Sequence, residues 1–143
     1  MSKNKRRLNY SFTAAFAGFI FGFDTIVISG VDQKLQDLWH STDLFHGLVV
    51  IGMALWGTVI GAIFGGLPTN YFGRKKTLLW IGYLYSISAI GSAISSDPIT
   101  FAFFRFIGGI GIGISTIAAP AYISEISAPN ERGKLVGYYQ LNI

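Results

Sequence analysis

A chain of 143 residues would ordinarily be one soluble domain, but 51% of these residues are hydrophobic and only 13% are charged, against about a quarter charged in a typical soluble domain. The same balance excludes intrinsic disorder, and the lack of cysteine removes disulfides, thiolate metal sites and cysteine nucleophiles. The net charge of +4 points to nucleic acid only if the basic residues form one patch, and His40 and His46 are too few for a histidine-rich metal centre.

Residues 1–9 form a basic tail with Lys3, Lys5, Arg6 and Arg7. An apolar run then covers about 10–30, enough for a helix to cross the hydrocarbon layer, which takes roughly 20 residues. A signal peptide starts in a similar way. This run is longer than the usual apolar region, however, no A-x-A-like site follows it, and more apolar runs come after. An uncleaved first helix is expected, with Ala14, Gly18 and Gly22 every four residues along it.

A second crossing is expected at about 45–67, carrying Gly57, Gly61 and Gly65 at the same spacing. Four-residue spacing gathers small side chains on one helix face and lets backbones approach closely. A third run covers about 77–95. Asp97-Pro98 reads as an N-cap followed by proline at the first helical position, opening a fourth crossing at 99–126 whose Gly108, Gly109, Gly111 and Gly113 fit neither the spacing nor the context of a dinucleotide fingerprint. A fifth helix begins at 133 and the sequence stops within an apolar segment at Ile143, so a longer protein is expected. Barrel strands would show about ten residues of alternating polarity, and these runs are longer and apolar on all sides. The expected class is an all-α membrane protein with four transmembrane helices and the start of a fifth.

The basic residues set its direction. Lys3, Lys5, Arg6, Arg7, Arg74, Lys75, Lys76, Arg132 and Lys134 fall on alternate loops. Only Lys34 lies on the opposite side, with Asp32, Asp37, Asp43 and Asp97. This asymmetry places the N-terminus in the cytoplasm, accounts for the positive charge by topology and removes the nucleic-acid reading. The glycosylation match at Asn9-Tyr10-Ser11 then falls on the cytoplasmic side and is discounted.

Two formal charges lie well inside the crossings, Asp24 and Arg105. Each costs roughly 2.5–3.5 kcal/mol at a helix centre on insertion scales, so an intramembrane ionisable group is a functional candidate by default. Asp24 comes six residues before Gly30, and Arg105 six residues after Ile99. At 1.5 Å per residue each lies about 9 Å below the outer surface. They can pair if the first and fourth crossings are neighbours. A static salt bridge would neutralise two costly charges. A proton-exchanging carboxylate, favoured by Arg105 and opposed by desolvation, would couple protonation to conformation.

Gly22-Phe-Asp24-Thr, Asn70-Tyr-Phe-Gly73-Arg74-Lys75, Arg105-x-x-x-Gly109-x-Gly111-x-Gly113 and Pro120-Ala-Tyr122-Ile-Ser-Glu125-Ile-Ser-Ala-Pro129-Asn-Glu-Arg132-Gly133 occur in this order. Together they resemble the N-terminal third of sugar porters of the major facilitator superfamily, along nearly the whole chain. The resemblance implies part of a twelve-helix fold of two six-helix halves, with the substrate held near the midplane between them. It implies that Asp24 is the proton-coupling carboxylate of a symporter and Arg105 its partner. Arg74, Lys75, Glu125 and Arg132 correspond to the cytoplasmic charge latch of the outward-facing state, although part of the basic cluster also serves positive-inside anchoring. Gln140 corresponds to a glutamine that hydrogen-bonds sugar hydroxyls, and Phe21 to an aromatic beside the sugar, with lipid or core contact an equal alternative for Phe21. Asn70 stands where the family usually has aspartate, which removes one charge from the latch.

The expected activity is transport of a sugar or polyol by proton symport, with no cofactor beyond the proton, in the plasma (inner) membrane. The expected partners are the lipid bilayer and a C-terminal half of the transporter. No enzyme constellation is present: neither a nucleophile–base pair nor a phosphate loop. The alternatives are a complete four-helix small multidrug proton antiporter acting as a dimer, which leaves Arg105 and the Glu125/Arg132 cluster unexplained, and a non-transporting membrane anchor, which would tolerate neutral residues at 24 and 105. Residues 1–143 alone are expected to insert without carrying sugar.

Overall fold

The computed structural model describes the backbone of residues 3–127, 129 and 131–141, and their side chains except at 3–18, 20, 21, 138 and 141. All regular elements among these residues are helical. They run α1 (Lys3–Trp39), α2 (Asp43–Phe45), a π-helical segment (His46–Ile51), α3 (Gly52–Phe64), α4 (Gly66–Phe72), α5 (Arg74–Ile94), α6 (Pro98–Ile126) and α7 (Arg132–Leu141). Three stretches, Asp43–Phe64, Arg74–Ile94 and Pro98–Ile126, are long and apolar enough to cross a membrane, and α1 is a single helix through the first expected crossing.

Two helix ends differ from the expected ones. The first helix does not stop at Gly30 but continues to Trp39. The polar run Asp32-Gln33-Lys34 resembles a loop in composition, yet it contains no breaker, and Gly30 does not adopt a positive φ. The actual stop is at His40, in the left-handed region at φ 46°. The amide of His40 donates to the Asp37 carbonyl and that of Ser41 to the Gln36 carbonyl, both at 3.3 Å, which is the Schellman closure of a helix end. The second expected crossing is not a uniform α-helix. It starts with a π turn over His46–Ile51 and passes with little interruption into α4, which ends at Phe72.

At that end Gly73 adopts φ 80°, ψ 153°, a region open essentially to glycine alone. The buried Thr77 hydroxyl meets the Pro68 carbonyl at 3.1 Å and the Gly73 carbonyl at 3.0 Å, tying the start of α5 to the end of α4. At the opposite end of the bundle, Asp97 caps α6 through the Thr100 amide at 2.8 Å, with Pro98 at the first helical position.

α6 is the central helix, packing on α3, α5, α1 and α7. Its contact with α3 is made by two facing glycine seams. A Cβ on Gly57 would stand 2.3 Å from the Phe106 carbonyl oxygen, and one on Gly109 would stand 2.1 Å from that of Ala54. Gly61 against Ile110 and Gly113 against Thr58 repeat the arrangement one turn along. Ala14 and Gly18 lie outside the described side chains. The outward faces of α3 and α5 carry Leu55, Trp56, Ile63, Leu79, Trp80, Ile87 and Ile90, all exposed, as a lipid-facing surface requires.

Candidate functional site

The candidate residues and the polar contacts around them fall at three levels. At the middle level α1 and α6 bring Asp24 and Arg105 together across 81 residues of sequence. Arg105 Nη1 donates to Oδ1 at 2.5 Å and to Oδ2 at 2.6 Å. The Arg105 side chain is 10% exposed and that of Asp24 31%. The guanidinium is therefore the more deeply buried partner and has the greater need of the contact, since a buried charge left unpaired is costly. Beside the pair lies a cavity of about 590 Å³ bounded by α1, α5 and α6, mostly apolar, with Phe101 at one end and Tyr85 and Ile112 at the other.

At the end of the bundle that carries the basic loops, Arg74 at the first position of α5 meets Glu125 near the end of α6. Nε lies 2.8 Å from Oε1 without hydrogen-bond alignment. Both groups are partly exposed, so the contact is a modest one. Lys75 and Arg132 are also exposed at this end, but neither forms an ion pair among the described residues. Asn70 is exposed. Of the four residues expected in the charge latch, the fold brings two together.

The third level was not expected. His46, in the π segment, is 3% exposed, with Nε2 2.8 Å from Asp32 Oδ1 and Nδ1 3.0 Å from the Ser41 hydroxyl. Gln36 donates to Asp43 at 2.6 Å, and Trp39 packs on Phe101 with ring centroids 5.4 Å apart. These contacts tie the C-terminal extension of α1 to the segment that follows it and to the start of α6. A lone histidine with an acid fourteen residues earlier has no periodic signature. The available signal was a run of helix formers, Lys34-Leu-Gln-Asp-Leu-Trp39, where a loop was expected.

Gln140 is exposed on α7. Phe21 is on α1, but its side chain lies outside the described residues. No group of three His, Cys, Asp or Glu side chains suited to a metal ion occurs among the described residues.

The profile of the family described as Sugar (and other) transporter matches residues 10–143. The chain belongs to that family. Its members are transporters, not enzymes, and this membership sets aside the four-helix multidrug antiporter. The chain is 42% identical over 130 residues to a glucose transport protein of Synechocystis sp., covering 91% of this chain and 28% of the relative. It is 40% identical over 131 residues to the arabinose-proton symporter of Bacillus subtilis, covering 92% and 28%. Among solved structures, the proton:xylose symporter XylE bound to 6-bromo-6-deoxy-D-glucose superposes with a TM-score of 0.90 at 29% identity, over 99% of this chain and 35% of that one. The inward-open xylose transporter XylE from E. coli gives 0.84 at 32% identity, over 96% and 36%. The chain thus has the helical fold of part of a major facilitator protein, and it spans a little over a quarter of the length of the curated relatives it matches.

Proposed function

We propose that this chain forms the first part of a proton-coupled transporter of a sugar or polyol, working by alternating access in the plasma (inner) membrane with its N-terminus in the cytoplasm. The observation that carries the reading is the Asp24–Arg105 pair: a carboxylate and a guanidinium in direct contact inside a bundle of apolar helices. Protonating Asp24 removes its charge, releases the main partner of Arg105 and frees α1 from α6 at that level. Loss of the proton restores the contact. That is a two-state element biased by proton binding. The symporters of arabinose and xylose among the similar proteins support protons as the coupling ion.

Arg74 and Glu125 serve in the same reading as a cytoplasmic contact that holds one state and breaks in the other, with Lys75 and Arg132 in the surrounding field rather than in the contact. Gln140 supplies an amide, with two donors and an acceptor suited to a polyol, and Phe21 an apolar ring face. The lipid bilayer and the rest of the transporter complete the assembly.

The decisive test is a chimera in which residues 10–143 replace the matching segment of the Bacillus subtilis arabinose-proton symporter. Asp24→Asn in that chimera is expected to abolish proton-driven arabinose accumulation while leaving exchange or downhill movement. Accumulation that persists in the mutant rejects the coupling role of Asp24.

A further inference from the structure

Four buried side-chain nitrogen or oxygen atoms lack a hydrogen-bond partner among the described residues. One is Arg74 Nε, already held by Glu125. The other three are Tyr85 Oη, Ser92 Oγ and Arg105 Nε, and all three residues line the cavity beside the ion pair. Buried polar groups are almost always paired, so three orphans around one cavity form a pattern to be explained. The Tyr85 hydroxyl stands near Ser115 without bonding geometry to it, and within electrostatic reach of Asp24. The Ser115 hydroxyl is itself committed to the Ile112 carbonyl at 2.7 Å.

Tyr85, Ser88 and Ser92 fall at i, i+3 and i+7 on α5, one face of that helix, and all three border the cavity. Ser88 is accommodated because Gly108 has no side chain: a Cβ there would stand 2.4 Å from the serine hydroxyl. α5 thus presents a stripe of hydroxyl groups to the helix that carries Arg105. A guanidinium has five N–H donors and cannot be neutralised. At present a single nitrogen, Nη1, makes both bonds to Asp24. When Asp24 takes up a proton, the buried cation loses its counter-charge and needs acceptors nearby.

We propose that the hydroxyl stripe Tyr85, Ser88 and Ser92 is the receiving site for the Arg105 guanidinium when Asp24 is neutral. The cavity gives the side chain room to turn, and hydroxyl lone pairs take up its freed N–H groups. Tyr85 and Ser92 are positioning residues: they make the released state of Arg105 accessible without touching substrate. The inference rests on Asp24 as the proton carrier. The charged and titratable groups around the pair fit this. Arg105 faces Asp24 from α6 and Tyr85 from α5. On α7, Tyr139 is turned to the Ser115 carbonyl at 3.4 Å, and further out on α1, Asp32 is held by His46.

The test is nuclear magnetic resonance of the arginine Nε–H groups in the 143-residue chain, labelled with ¹⁵N-arginine and held in lipid nanodiscs, with the Arg105 signal identified by its loss in Arg105→Lys. Asp24→Asn mimics the neutral acid. It is expected to move the Arg105 signal to a second resolved position at neutral pH, and adding Tyr85→Phe and Ser92→Ala is expected to abolish that position. Tyr139→Phe is expected to leave it in place, and an unchanged Arg74 signal certifies the fold in each variant. An Arg105 signal that Asp24→Asn does not move, or that moves equally without the two hydroxyls, overturns the receiving site. If Asp24→Asn moves the signal but acidifying the unmutated chain does not, the receiving site stands and the proton-carrier reading of Asp24 falls.

Discussion

Arg105 and Asp24 depend on each other unequally. Removing Asp24 leaves a nearly buried cation, whereas removing Arg105 leaves an acid that retains partial access to its surroundings. Breaking a buried pair from one side is the costly operation, and removing both charges costs less than the two single losses together. A double-mutant cycle of Asp24→Asn and Arg105→Met, read by thermal unfolding in detergent, is therefore expected to give a coupling of about 1–3 kcal/mol. Additive single effects would show that the contact contributes nothing. This pair was legible in the sequence because depth can be counted from the ends of apolar runs. The His46–Asp32–Ser41 cluster was not, because its members come together only through a π turn and a helix end that polar composition conceals. The Asp97 cap is a local motif and could be read directly from Asp97-Pro98. The Thr100 amide, then the Thr100 hydroxyl, hold its carboxyl below the usual carboxylate range. With a lowered folded value, its contribution is complete above the unfolded value of about 3.9 and disappears as pH falls through the folded one. Amide exchange at Thr100 should accordingly quicken on acidification relative to an Asp97→Asn chain at the same pH. Parallel behaviour in the two chains would remove the charge from the cap.

Between elements, the α3–α6 seam makes the sharpest prediction. The atoms opposing Gly57, Gly61, Gly109 and Gly113 are backbone carbonyls, which no rotamer change can move aside. Gly109→Val is expected to force the helices apart and to cost about 3 kcal/mol, the upper range for overpacking. Gly82 on α5 provides the contrast, since a methyl group there would meet nothing within 4 Å. Gly82→Ala is expected to be neutral or to stabilise by up to about 1 kcal/mol. Equal melting shifts for the two would mean that the seam is not a close contact. The α3 half of this seam was visible as Gly57, Gly61 and Gly65 at four-residue spacing. The partner face was harder to read. Gly108, Gly109, Gly111 and Gly113 crowd several sides of α6, and only packing sorts Gly109 and Gly113 toward α3 and Gly108 toward Ser88 on α5. Charge contacts at the basic end of the bundle were only partly legible, since four residues sharing one end says nothing about which side chains reach one another.

For the molecule as a whole, the alternation of basic loops predicts that the turn at Lys75 and the turn at Ser96 lie on opposite sides of the bilayer. The chain has no native cysteine, so single replacements Lys75→Cys and Ser96→Cys are unambiguous reporters. A membrane-impermeant thiol reagent applied outside intact cells is expected to label the second and spare the first, and labelling of both from one side would reject the topology. The apolar runs made the existence of the crossings plain, whereas the length of α1 was hidden by the change to polar residues after Gly30. That length matters. Thirty-seven residues make a rod of about 55 Å, longer than the 40–45 Å of a bilayer with its headgroups. Its far end is fastened by His46 and Phe101, and its middle by Arg105. An unbroken beam of this kind conveys tilt from one end to the other, so any loosening of the Asp24–Arg105 contact halfway along reaches both extremities of the helix at once.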